Sequence, residues 1–458
     1  MFGKVRQLHF VGIGGIGMSG IAEILLNLDF QISGSDLQLS EVTEHLVGLG
    51  AKITQGHRAN LVGDADVVVI SSAVKADNPE VMEARRRKIP VIRRAEMLGE
   101  LMRMKYSVGI AGTHGKTSTT SMTGLVLERG GLDPTVIVGG KVKSLRTSAK
   151  LGQSKYLVAE ADEFDRSFLR MMPTIAVVTT LEAEHLDCYT NLDDIKGAFI
   201  EYVNKVPFYG AVILCLDEGS LQSIIPHIEG RMVTYGISPQ AQIRADNLAF
   251  EGLNSSYDVT IGGEEMGRVT LGVPGVHNIK NSLAALAVGL ELGIEFSSIR
   301  ESLEAFTGVY RRFEIKGEAA GVMVVDDYAH HPTEIQASLL AAKEGLGRHT
   351  IAVFQPHLFS RTRDFCDDFG SSFFHSDVLV VTDVYPAREQ PISGVTGELV
   401  ARAAREHGHS KVVYIEDKDK VATYLAAQVK AGDLVITMGA GDVFRIGERL
   451  LALLQKRK

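Results

Sequence analysis

The sequence predicts an α/β protein of about three domains, each with a mainly parallel sheet flanked by helices. Three observations predict it. The chain has 458 residues, and a domain takes ~150 residues as a working figure. Short continuous apolar runs at 66–70, 175–179, 211–215, 378–382 and 433–437 suit parallel strands buried on both faces, and helical patterns alternate with them. Three blocks open with a strand-like run and a turn, at 8–11, 106–111 and 322–325. The breaks between blocks fall after the helical pattern 95–104 and at Thr307-Gly308, giving domains 1–104, 105–307 and 308–458. No Pro- or Ser-rich linker marks them.

Composition narrows the class. Lys plus Arg is 48 and Asp plus Glu is 56, a net charge of −8. A general nucleic-acid binder should carry a basic surplus, so that class is disfavoured. Ordinary apolar and charged fractions exclude a disordered or collagen-like chain. Cys188, Cys215 and Cys366 are odd in number and far apart, which supports neither a disulfide framework nor a zinc knot, and a reducing cytoplasm is the expected compartment. The apolar run 8–18 is broken by four glycines and reads as strand and turn rather than signal peptide. No run approaches the ~18 apolar residues of a membrane helix, so no membrane partner is expected. The C-terminal Gln455-Lys456-Arg457-Lys458 reads as a solvated helix end, and no protein partner is readable.

In the first block, Gly12-Ile13-Gly14-Gly15-Ile16-Gly17 fits G-x-G-x-x-G between a strand and the helical pattern 19–28. Such glycines let backbone N–H groups approach a diphosphate at a helix N-terminus. Asp36 follows at the end of the second strand-like run, within reach of a ribose or base. The motif admits three occupants: a nicotinamide or flavin cofactor, another nucleotide diphosphate, or none if the turn is structural.

In the second block, Gly112-Thr113-His114-Gly115-Lys116-Thr117 follows a strand and opens the helical pattern 118–129. Loop amides and Lys116 would cradle the β and γ phosphates of ATP, and the Thr117 hydroxyl would ligate Mg²⁺. The strict eight-residue phosphate-loop pattern needs glycine at position 110, where this chain has Ile110; the match is to a shorter variant. Glu160, Asp162 and Glu163 end the next strand, and Glu184-His185 follow the strand at 175–179. Strand C-termini are where such sheets gather ligands, and these groups could hold Mg²⁺ against triphosphate oxygens.

Together these segments resemble the Mur ligase family, the ATP-dependent amide-forming enzymes of peptidoglycan precursor synthesis. The resemblance runs in family order through the two loops, Glu160-Ala161-Asp162-Glu163, Glu184-His185, His277-Asn278 with Asn281, Arg311-Arg312-Phe313, the run 326–332, Gln355-Pro356-His357 and Ser360-Arg361-Thr362-Arg363. It implies Rossmann-like, ATPase-like and Rossmann-like domains, with the third closing over the site. It implies UDP-N-acetylmuramate and L-alanine as substrates and ATP with Mg²⁺ as cofactors. It gives Gly12, Gly14, Gly15, Gly17, Asp36 and His114 to the UDP-sugar, and Gly112, Thr113, His114, Gly115, Lys116, Thr117 and Ser118 to ATP. His277, Asn278 and Asn281 fall in the adenine-contacting motif. Thr117, Glu160 and His185 match metal-binding positions, and Arg312 an arginine that reaches the ATP phosphates. Lys116, His185 and Arg312 form the implied catalytic set. His330 and Arg363 fall on the amino-acid or muramyl side. Many relatives have Asp-His where this chain has Glu184-His185. Lys196 is not given the carbamylated-lysine role found in sister ligases.

Overall fold

The structure, a computed structural model, describes residues 4–71, 73–139, 149–184, 188–387 and 389–456. It contains three sheets. In the first, five parallel strands run in the order Lys52–Gln55, Gln31–Asp36, Gln7–Val11, Val67–Ile70, Val91–Arg93. The order reverses at Gln7–Val11, a switch point of the kind at whose carboxyl end such sheets bind ligands. The run expected to begin at residue 66 begins at Val67 because the Asp66 carboxylate instead accepts the N–H groups of Arg6 (2.7 Å) and Gln7 (2.9 Å).

The second sheet has ten strands. Its parallel centre sets Tyr106–Ala111 between Ile175–Val178 and Tyr156–Glu160, again a switch point. Ala211–Cys215 and Met232–Gly236 extend it in parallel. Beyond them lie Ile243–Glu251, Asn254–Ile261 and Glu264–Leu271, joined by the short turns Gly252-Leu253 and Gly262-Gly263. Sequence reading did not anticipate this three-strand extension: its alternating burial is the pattern of a half-solvated sheet, not the continuous apolar run of the central strands.

The third sheet pairs Glu314–Ala319 antiparallel to Val322–Asp327, then continues in parallel through Leu434–Met438, Thr350–Phe354, Val378–Val381 and Val412–Tyr414. Both faces are covered. Phe354, Phe369 and Phe373 fill one side, and Val353, Leu425 and Leu450 pack on the other. This explains why its strands read as unbroken apolar runs.

The chain divides into two compact units. One holds 1–246, 258–267 and 280–305; the other holds 247–257, 268–279 and 306–458. No described helix is long and apolar enough to cross a membrane, and none of the three cysteines is in a disulfide.

Candidate active site

Within the first unit, the glycine turn is held from below. Ser35 O accepts the N–H groups of Gly12 (2.8 Å) and Ile13 (3.1 Å). Gly15 O caps the following helix, Ile16–Asn27, by accepting from Met18 and Ser19 (2.9 Å each), and Gly17 lies in that helix's first turn. The helix has no acidic residue of its own in its first turn, and its positive end favours an anion. Asp36 does not point away from the turn: its Oδ2 accepts the Gly14 N–H at 2.8 Å. It is thus built into the turn, a placement that strand spacing alone did not reveal.

The phosphate loop leaves the carboxyl end of Tyr106–Ala111 and opens the helix Lys116–Arg129. Gly115 caps it at φ +81°, and a Cβ there would meet Asn281 Oδ1 at 2.5 Å. A side chain at this position is barred by backbone and neighbour together. Asn281 Oδ1 also accepts from Thr119 Oγ1 (3.1 Å), so the helix Val276–Glu291 seals the loop from behind. Thr180 fastens the other side. Its carbonyl accepts Thr113 N–H (3.1 Å), and its hydroxyl accepts His114 N–H (2.8 Å) and meets Thr113 Oγ1 at 2.9 Å. The His114 ring meets Glu182 at 3.3 Å.

Lys116 Nζ donates to Gly112 O (2.6 Å), Thr113 O (3.2 Å) and Glu163 Oε1 (2.9 Å). Burial opposes its charge, but Glu163, Asp162 and Glu184 outweigh burial and hold its pKa above the ordinary lysine value. Glu160 behaves oppositely. Burial raises its pKa against the lowering effects of the Gly139 N–H, the Lys116 charge and the Thr117 hydroxyl. Its Oε1 is buried without a hydrogen-bond partner. A buried carboxylate oxygen left over beside a threonine hydroxyl is a hard-oxygen donor set of the kind Mg²⁺ takes. His185 lies outside the described residues.

Within the second unit, Arg311 and Arg312 face different partners. Arg311 Nε donates to Asp326 Oδ2 (2.8 Å), and its other nitrogens donate to Gly439 O (2.7 Å) and Gly441 O (3.1 Å). It is a structural clamp. Arg312 has one weaker contact, Glu334 Oε1 at 3.3 Å, and lies over the Tyr328 ring. Asp327 accepts Phe313 N–H (3.0 Å), Ala329 N–H (2.8 Å) and Ser338 Oγ–H (2.9 Å); burial pushes its pKa up to about 6. His330 sits edge-on to Tyr328 and to His357, whose ring stacks on Tyr385. His277 and Asn278 meet at 3.2 Å, and Asn278 Nδ2 also donates to Pro274 O (2.8 Å).

Three family models match the chain in order: the catalytic domain of the Mur ligase family over residues 7–106, the middle domain over 110–289, and the glutamate ligase domain over 311–441. A UDP-N-acetylmuramate–L-alanine ligase of Geotalea daltonii is 53% identical, covering 100% of both chains. The chain belongs to the Mur ligase family. A second relative of that name, from Salinibacter ruber, is 55% identical over 99% of this Mur ligase and 96% of its own length. The crystal structure of UDP-N-acetylmuramate-alanine ligase from Thermotoga maritima superposes with a TM-score of 0.82 at 28% identity, covering 99% of this chain and 100% of that one.

In this Mur ligase the structure gathers Lys116, Thr117 and Glu160 around one loop, with Asn281 behind it. His330 falls in an aromatic and imidazole cluster, but Arg363 does not join it. Arg363 is 55% exposed and pairs with its neighbour Asp364 at 2.7 Å. The buried arginine of that helix is Arg361, whose Nη1 meets His357 Nδ1 at 3.4 Å. No local pattern singles it out, because His357 lies before the helix Phe359–Asp364 and the contact is made across the turn at Leu358, whereas Arg363 is turned away.

Proposed function

We infer that this Mur ligase joins L-alanine to the lactyl carboxylate of UDP-N-acetylmuramate, driven by ATP, in peptidoglycan precursor synthesis. The observation that carries this reading is end-to-end likeness to relatives of that name. The sealed loop around Lys116 supports it chemically.

A carboxylate and an amine form a salt at neutral pH, so the carboxylate must first be activated. The lactyl carboxylate attacks the γ-phosphorus of ATP, the bond to the ADP oxygen breaks, and an acyl phosphate results. The alanine amino group, freed of its proton, attacks the acyl carbon, and inorganic phosphate leaves with the bonding pair. Lys116 and Arg312 neutralise charge on the transferred phosphoryl oxygens. Thr117 and Glu160, with His185, would hold Mg²⁺, which when bound offsets phosphate charge. The turn built by Gly12, Gly14, Gly15 and Gly17, at the N-terminus of the helix Ile16–Asn27, receives the UDP diphosphate, with Asp36 bracing the turn through Gly14 N–H and His114 near the sugar. Thr113 and Ser118 complete the ATP loop, and His277, Asn278 and Asn281 serve the adenine side. His330 serves the amino-acid or muramyl side, with Arg361 a better placed cation than Arg363. We assign residues 1–104, 105–307 and 308–458 to UDP-sugar binding, ATP binding and closure, in a cytoplasmic enzyme acting on small molecules. Because the acyl phosphate hydrolyses when wet, the third domain closes over it.

The test is phosphate release with UDP-N-acetylmuramate, ATP and Mg²⁺ across a panel of amino acids. Release that requires the UDP-sugar and is greatest with L-alanine is expected. Release independent of the UDP-sugar overturns the reading. A tripeptide arm addresses the sister activity, since a Neisseria structure titled for L-alanyl-γ-D-glutamyl-meso-diaminopimelate ligation is 30% identical over 67% of this chain.

A further inference from the structure

Beneath the glycine turn lies a buried anion that the reaction does not use. Glu80 is 0% exposed and His9 1%. Glu80 stands in the first turn of the helix Pro79–Arg86, where its N–H donates to the capping Asn78 Oδ1 at 2.9 Å. Both carboxylate oxygens are engaged. Oε2 meets His9 Nε2 (3.0 Å) and accepts from Ser35 Oγ (2.7 Å). Oε1 accepts Arg58 N–H (2.9 Å) and lies 3.4 Å from His57 Nδ1. Ser35 Oγ in turn meets His57 Nδ1 at 2.9 Å. Burial pushes the Glu80 pKa up, but these hydrogen bonds outweigh it and hold the group below the ordinary glutamate value.

The connections of this cluster set it apart from core packing. The residue whose hydroxyl binds Glu80, Ser35, is the one whose carbonyl holds Gly12 and Ile13. The next residue, Asp36, binds Gly14 N–H with its carboxylate and Gly56 N–H with its carbonyl (2.7 Å). One carboxylate therefore ties together the end of Gln31–Asp36, the segment after Lys52–Gln55 and the helix after Val67–Ile70, and reaches the turn after Gln7–Val11 through Ser35. These are the elements at the carboxyl edge of the first sheet, the edge that receives ligands. Apolar residues of similar volume would pack there without the cost of burying a charge, whereas a fully hydrogen-bonded anion imposes one arrangement on its donors.

We propose that Glu80 is a positioning residue of the nucleotide-diphosphate site: through Ser35, and through the backbone at Arg58, it locks the glycine turn and its neighbouring loop in the geometry that receives the UDP-sugar, without touching it. The proposal rests on the reading that this turn holds the UDP diphosphate.

The experiment compares wild type, Glu80→Gln and Ser35→Ala for steady-state kinetics and for calorimetric binding of UDP. Ser35→Ala removes the hydrogen bond that joins Glu80 to the residue holding the turn, while leaving that residue's carbonyl on Gly12 and Ile13 and leaving Glu80 its contacts with His9 and Arg58, and it serves alone if Glu80→Gln fails to fold. The KM for UDP-sugar and the Kd for UDP are expected to rise about tenfold in each folded variant, as for loss of a hydrogen bond to a charged group. The kcat and the KM for ATP should stay within about twofold of wild type, since the phosphate loop is untouched. Variants that lose thermal stability while keeping wild-type KM and Kd would show a purely structural role and overturn the proposal alone. Wild-type protein that binds no UDP would overturn the reading of the turn, and the proposal with it.

Discussion

Lys116 is held by two loop carbonyls and Glu163, and its raised pKa keeps it an ammonium across the working pH range. Lys116→Ala is therefore expected to lower kcat for phosphate release by about 10²–10³, the usual effect of removing one transition-state donor. An unchanged rate of ADP formation would remove Lys116 from the mechanism. Asp327 carries a pH prediction. Its folded pKa is raised from 3.8 to about 6, so the stability it contributes is whole below the unfolded value and is lost as pH rises through the folded one. The stability of wild type relative to Asp327→Asn should thus fall between about pH 4 and pH 6, by up to about 3 kcal/mol. Melting temperatures of the two proteins across that window measure it; parallel curves would contradict it.

The loop-to-helix joint at Gly115 depends on one backbone conformation and one neighbour. Gly115→Ala puts a methyl group where Asn281 Oδ1 stands and a side chain at positive φ. A destabilisation of about 1–3 kcal/mol and loss of measurable ATP binding are expected; titration with a fluorescent ATP analogue reads the second. Much at this scale was legible in the sequence. The central strands were, because burial on both faces writes itself as unbroken apolar runs, and so were the two loops, because glycine, lysine and threonine at fixed offsets have few other uses. Placements that depend on contacts distant in the chain were not. Asn281 meeting Thr119 and Gly115, Asp36 turning back onto Gly14, and Glu80 reaching Ser35 and His9 leave no local pattern. Arg361 was hidden as well: it meets His357 across the turn at Leu358 and stands in a run with two arginines.

The whole molecule is acidic, with a net charge of −8, yet its substrates are anions. Positive charge must then be local, at Lys116, Arg312, Arg361 and the amide-lined turns, rather than spread over the surface. Ligand binding at those places should stabilise the fold by mass action. UDP-N-acetylmuramate at about 100 times its Kd is expected to add about 2.7 kcal/mol to the unit that holds the glycine turn. Thermal scans with and without the ligand test this, and an unshifted transition would argue against a site there. The three-sheet architecture was legible from length and alternation. The half-exposed extension 243–271 was not, since its alternating strands resemble surface loops when read one at a time.

The Asp36–Gly14 contact has a practical consequence for protein engineering. In dinucleotide-binding enzymes the acidic residue after the second strand commonly faces the ribose, which makes it a natural handle for retargeting a binding site to another nucleotide. Here the equivalent carboxylate is a strut of the turn itself. Replacing it to alter selectivity would dismantle the cradle before any new preference could be read, so redesign of nucleotide choice should begin at neighbouring positions that bear no such internal duty.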